Sequence, residues 1–353
     1  MAPFIYQSQA ARVVFGAGSL QHLAREVDAL GARRALVLST PEQAEMARRI
    51  AGMLSELTAG IFPRAVMHVP IAVAREARSL AQELRADCLV AIGGGSTIGL
   101  GKAVALESGL PILAVPTTYA GSEMTPIYGL TEAGVKKTGR DPRVLPRTVI
   151  YDPELTLTLP LRMSIASGLN AIAHASEGLY AHDGNPIVSL MAEEGIRACA
   201  AAFGALHANA FDLEARSDAL YGAWLCGSVL GAVSMGLHHK LCHTLGGTFD
   251  LPHADVHTVV LPHALAYNAA HAPQAMKGIA RALATPGSAP AAIFDLAQRH
   301  HAPTSLAAIG MPADGLDHAA DLAVQSPYPN PRPLERAAIR ELLQRAFDGT
   351  RPN

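Results

Sequence analysis

The chain has 353 residues, 50% of them apolar and only 16% Asp, Glu, Lys or Arg, with a formal charge of −2. That length suits two domains, and that composition supplies real hydrophobic cores, which excludes a disordered or solvating chain. Twenty-eight basic residues against 30 acidic ones leave no electrostatic footprint for nucleic acid or an anionic membrane.

The opening MAPFIYQSQAARVVFG has no charged segment followed by an apolar run, so a secretory signal is not expected. Residues 12–15, 35–38, 88–92, 112–115 and 148–151 are short, β-branched runs bounded by Gly, Pro or Asp, and read as strands. Residues 19–30, 41–56 and 72–84 between them carry apolar residues at helical spacing. Strand and helix in alternation predict an α/β, Rossmann-like parallel sheet covered on both faces. After residue 155 the strand signals fade. Alanine-rich amphipathic stretches follow at 163–181, 186–208, 214–234, 237–246, 258–270, 290–300 and 333–347. The expected organisation is therefore an α/β dinucleotide-binding domain over 1–154 and an all-helical substrate domain over 155–353. No window approaches the roughly 18 uninterrupted apolar residues of a membrane span. Cys88, Cys199, Cys226 and Cys242 are far apart, with no C-x-x-C pair, and read as reduced thiols of a cytoplasmic protein.

Residues 87–102, DCLVAIGGGSTIGLGK, run a strand through glycines into a helix. Glycines admit a phosphate close to the backbone, and the helix start offers free N–H groups and the positive end of its dipole. Gly94, Gly95, Ser96 and Thr97 are thus candidates for a dinucleotide's pyrophosphate. The turn is not a Walker A motif, because Lys102 is not followed by Ser or Thr. In PTTYAGSEMT, Thr117, Thr118 and Ser122 are placed to close over the cofactor, with Tyr119 facing the substrate. After the second strand, Ser39 and Thr40 stand where an acid would select NADH; hydroxyls there admit NADPH as well.

Six of the 15 histidines lie between 238 and 263. Asn170 and His174 are i, i+4 on one helix, and His239 and His243 on another, so each pair points at one place. His253 follows His243 after Gly246-Gly247 and Pro252, so a loop can return it to the same point. Three histidines and a side-chain oxygen form a plausible divalent-metal set.

GGGSTIGLGK, PTTYAGSEMT, Lys136-Lys137, Asp152-Pro153-Glu154 and HHKLCHTLGGTFDLPH together resemble the iron-containing (group III) alcohol dehydrogenase family over nearly the whole chain. The likeness is greatest to its maleylacetate-reducing branch, through LHHKLCHTLGG and NPRPLERAAIRELL as well. That resemblance implies the two-domain fold already read, a homodimer, closure of the domains around a cleft, and hydride transfer from NADH or NADPH to a small dicarboxylate in aromatic catabolism. A metal-dependent (Fe or Zn) alcohol dehydrogenase acting on a small carbonyl or alcohol is the alternative. The family's metal site, an Asp and three histidines, maps onto Asn170, His174, His239 and His253. A neutral amide is a poorer ligand for a hard cation than a carboxylate, so a vestigial site without metal is expected. Gly99 replaces the family's Asp in the GGGS-x-x-D turn, and Lys240 adds a cation beside the site.

Reduction of a C=C bond conjugated to a ketone creates an enolate and requires a proton. The expected roles are His243 as proton donor, Lys240 as enolate or carboxylate partner, and His239, His253 and His174 as the polar cradle with Asn170. Arg332, in the proline-rich run 326–333, could fork a substrate carboxylate. Lys136, Lys137 and Arg140 are expected in a solvated loop.

Overall fold

In the computed structural model of the chain, residues 11–132, 135–325 and 328–353 are described together with Phe4 and Tyr6, and at 135 and 136 the backbone alone. Residues 8–159 and 160–353 form two compact units. The division lies a little beyond the expected boundary after 154, because the 3-10 turn Pro153–Thr156 packs with the first unit. Asp152 explains that turn: its carboxylate accepts N–H bonds from Gly18 (3.1 Å), Leu20 (2.9 Å) and Glu154 (3.1 Å).

In the first unit, β1 (Arg12–Phe15), α1 (Leu23–Ala29), β2 (Ala35–Leu38), α2 (Ala44–Leu54), β3 (Thr58–Phe62), α3 (Ile71–Glu83), β4 (Cys88–Gly93), α4 (Gly95–Ser108) and β5 (Ile112–Pro116) follow in alternation. The hairpin β6 (Ile127–Glu132) and β7 (Val135–Arg140) precedes β8 (Thr148–Tyr151). The sheet is six-stranded and parallel, in the order β1, β8, β5, β4, β2, β3. β2, β4, β5 and β8 are buried on both faces, which is why they read as unbroken apolar runs. β3 was not legible: it is a half-exposed edge strand whose Gly60 leaves room for Leu84, where a Cβ would sit 2.4 Å from Leu84 Cδ1.

The basic run 136–140 is a strand of an antiparallel hairpin, not a loop. Lys137 there pairs with Glu132 on the surface (3.1 Å), and the Lys136 side chain lies outside the described part.

The second unit comprises α5 (Leu161–Gly178), α6 (Pro186–Ala208), α7 (Leu213–Ala232), α8 (Leu237–Phe249), α9 (His253–Asn268), α10 (Pro273–Ala282), α11 (Ala289–Arg299), α12 (Gly315–Val324) and α13 (Arg336–Asp348). The short helices α10 and α12 were not expected, and α9 begins at His253 rather than near 258. Small residues set the helix spacing: a Cβ on Gly222 of α7 would lie 2.8 Å from the backbone nitrogen of Cys199 in α6. Among the described residues no single helix is long and apolar enough to cross a membrane.

Candidate active site

Where the strand order turns back, between β2 and β4, the carboxyl ends carry the 38–43 segment and the Gly93–Gly95 turn. Gly93 has φ +147°, and a Cβ there would lie 2.5 Å from Thr97 Oγ1 and 2.7 Å from Gln43 Oε1. On Gly94 a Cβ would lie 2.9 Å from Thr118 Cγ2. No side chain caps α4, and Thr97 Oγ1 is buried with no partner among the described residues. A cradle that any side chain would fill, uncapped helix amides and an orphaned hydroxyl fit a pyrophosphate. Gln43, unnoticed in the sequence, donates to Thr117 Oγ1 (2.9 Å) and joins the two loops that flank the turn.

Beneath the PTTYAGSEMT loop, fully buried Lys102 points its ammonium at the carbonyls of Ser122 (2.6 Å), Thr125 (2.8 Å) and Ile127 (2.8 Å). Burial lowers its pKa to about 7, opposed by nearby Glu123. Lys102 is therefore a loop anchor. Gly99 faces Val69, with a Cβ position 2.8 Å from Val69 Cγ2, so an Asp there would have to displace that side chain.

Two assignments in this unit change. The Ser39 side chain is fully buried and its hydroxyl donates to the Thr40 carbonyl (3.0 Å), which turns it away from a cofactor. Tyr119 is fully buried, with its hydroxyl 3.5 Å from Thr156 Oγ1, and belongs to the core rather than to a substrate surface.

In the second unit, α5 carries a buried polar stripe, Ser167, Asn170, His174 and Glu177, on an otherwise small and apolar helix. Asn170 Nδ2 lies 3.3 Å from His174 Nε2, His174 Nδ1 lies 2.8 Å from His239 Nε2, and His239 Nδ1 lies 2.6 Å from Glu177 Oε2. Glu177 also accepts the backbone N–H groups of Gly236 (3.0 Å), His238 (2.9 Å) and His239 (3.3 Å), which caps the start of α8 from another helix. Burial alone would raise the Glu177 pKa; the His239 hydrogen bond, the two neighbouring histidines and the Gly236 N–H bring it down to about 2. Glu177 was missed in the sequence, although its spacing from His174 and Asn170 places all three on one helix face.

Around this chain His238 Nε2 and His257 Nδ1 are 3.0 Å apart, and the His257 ring lies 4.4 Å from the His253 ring and 5.0 Å from that of His239. Burial takes His238 down to about 3 and His257 well below its ordinary value. His243, one turn after His239, is exposed, with ring centroids 6.3 Å apart. Lys240 is half-buried and makes no hydrogen bond or ion pair among the described residues. Arg332 is placed otherwise than expected: its guanidinium stacks on Tyr267 (4.1 Å) and lies 3.9 Å from Glu335. Ser326 and Pro327 of its strap lie outside the described residues.

The family-implied metal does not fit this arrangement. Residue 170 brings an amide, its nitrogen faces His174 Nε2, and the other His174 nitrogen is bonded to His239. Among the described residues, the three ligand-type groups that converge within 4.8 Å are His238, Cys242 and His257, none of them in the expected set.

The low Glu177 pKa has a consequence for acid stability. The folded value of about 2 lies below the ordinary 4.5, so its contribution is complete above pH 4.5 and is lost as the pH falls toward 2. That difference amounts to roughly 3 kcal/mol. Urea midpoints measured between pH 6 and pH 3 are expected to fall steeply for the native chain and less so for Glu177→Gln.

The iron-containing alcohol dehydrogenase family matches residues 10–153, and the C-terminal part of the Fe-containing alcohol dehydrogenase family matches 164–347. The chain belongs to this family. It is 71% identical over 353 residues to a maleylacetate reductase of Burkholderia cepacia, with all of both chains covered. It is 60% identical to that of Sphingobium indicum, with 99% of each covered. The crystal structure of maleylacetate reductase from Agrobacterium tumefaciens superposes with a TM-score of 0.96 at 55% identity over 100% of both chains.

Proposed function

We propose that the chain is an oxidoreductase that reduces maleylacetate with hydride from NADH or NADPH. The observation that carries the reading is the 71% identity, end to end, with a relative named for that reaction. Bound NADH or NADPH supplies the hydride. Gly94, Gly95, Ser96 and Thr97 hold its pyrophosphate, and Thr117, Thr118 and Ser122 close over the rest; the hydroxyls admit both cofactors, with NADH preferred.

Hydride adds to the alkene carbon β to the substrate ketone, and the electron pair moves to the ketone oxygen as an enolate. A proton delivered to the α-carbon completes 3-oxoadipate. The Lys240 ammonium, which pairs with none of the described residues, stabilises the enolate or a substrate carboxylate. His243, exposed and three residues beyond Lys240 on the same helical face, delivers the proton. Asn170, His174, His239 and His253 form the polar wall, and no step passes through a metal. The reaction belongs to aromatic-ring catabolism.

The test is NADH absorbance with maleylacetate and purified enzyme, with and without a chelator. Consumption at the same rate in both is expected. No consumption overturns the reaction, and loss of activity on chelation overturns its metal-free form.

A further inference from the structure

The geometry points to Glu177 as a positioning residue that fixes the proton positions of His239 and His174 through a one-way hydrogen-bond chain, and to Asn170 as the amide that chain requires at its other end. The inference rests on the functional reading above for its kinetic part and on hydrogen-bond direction alone for the rest.

The two ends have single roles. The Glu177 carboxylate can only accept, and besides His239 it is held by three backbone N–H groups and by the Tyr180 hydroxyl (3.2 Å). The Asn170 amide nitrogen can only donate. His239 therefore carries its hydrogen on Nδ1 and donates to Glu177, which leaves Nε2 an acceptor. That acceptor takes the Nδ1 hydrogen of His174. The Nε2 of His174 is then the acceptor that the Asn170 amide needs. With the Asn170 nitrogen facing His174, each link forces the next, and this arrangement of hydrogens satisfies all three contacts.

Two consequences follow for the reaction. Each ring hydrogen is already committed to the next acceptor in the chain, so neither His174 nor His239 is the proton donor. An aspartate at 170 would face His174 Nε2 with a lone pair against a lone pair. The chain could reverse only by taking up a further proton on His239, because Glu177 has no hydrogen to give. Residues 170 and 177 are thus chemically coupled: amide at one, carboxylate at the other.

Two-dimensional NMR of 15N-histidine-labelled protein reads the tautomer of each ring without substrate. In the native chain, His174 and His239 are expected as Nδ1–H tautomers. In Glu177→Gln, the His239 pattern is expected to become mixed, with kcat reduced at least about tenfold and the maleylacetate KM within about threefold. Glu177→Asp is expected to restore part of kcat, and Asn170→Asp to shift the His174 nitrogens. An Nε2–H tautomer at His174 or His239 in the native chain overturns the proposal, and that reading stands even if Glu177→Gln fails to fold. Unchanged tautomers and unchanged kcat in a folded Glu177→Gln overturn it too. Native protein with both rings Nδ1–H but inert toward maleylacetate upholds the chain and overturns the functional reading alone.

Discussion

His243→Ala lowers kcat for maleylacetate reduction by about two to three orders of magnitude, while the NADH KM stays within about threefold. The expectation comes from elimination within the histidine cluster. His174 and His239 are committed to hydrogen bonds with each other and with Glu177. Burial holds His238 at about 3 and His257 well below its ordinary value, so neither is charged near neutrality. His253 is half-buried against His257. His243 is the exposed ring of the cluster, three residues beyond Lys240. It can take a proton from water and pass it on without disturbing the chain behind it. Lys240→Met is expected to act differently, raising the maleylacetate KM as well as lowering kcat, because a cation serves both bound carboxylate and developing enolate. Steady-state kinetics on the two variants separates the roles; full turnover in His243→Ala removes the proton-donor assignment.

Gly93→Ala weakens NADH binding by at least about tenfold, from backbone strain of roughly 1–3 kcal/mol at a left-handed residue. The added methyl meets Thr97 Oγ1 and Gln43 Oε1 within 2.7 Å, so relief requires one of those side chains or the turn itself to move. Each direction of movement disturbs the cradle: Thr97 opens α4, and Gln43 anchors Thr117. Fluorescence titration of NADH reads the loss. Binding unchanged in a folded variant would mean that the pyrophosphate does not lie on this turn.

Much of the scaffold was legible in the sequence because its signals are local. Buried parallel strands such as β2 and β4 are continuous apolar runs, and the glycine turn announces itself between strand and helix. β3 and the hairpin were not legible, since Gly60 and the charged residues of 135–140 obscure strand character that pairing then imposes. In the site, residues that share a helix turn were found, as with Asn170 and His174. Among those that meet by folding, His174 and His239 were grouped, but Glu177 and His257 were not. Glu177 stands three residues after His174, but nothing in the sequence says that α8 begins over its carboxylate. His257 likewise lies one turn after His253, and its place among four histidines depends on how α9 packs on α5 and α8. Ser39 and Tyr119 were misjudged because polar or aromatic residues in a loop can point inward, which spacing does not reveal.

The carboxylate that closes the start of α8 also has a signature in time. Amide hydrogens in the first turn of a helix ordinarily trade with deuterated water almost at once, for want of an intrahelical partner. Those of Gly236, His238 and His239 are held by a buried anion, so their exchange should wait for a larger opening of the helical unit. Slow deuterium uptake at that turn would make it one of the last places in the unit to loosen.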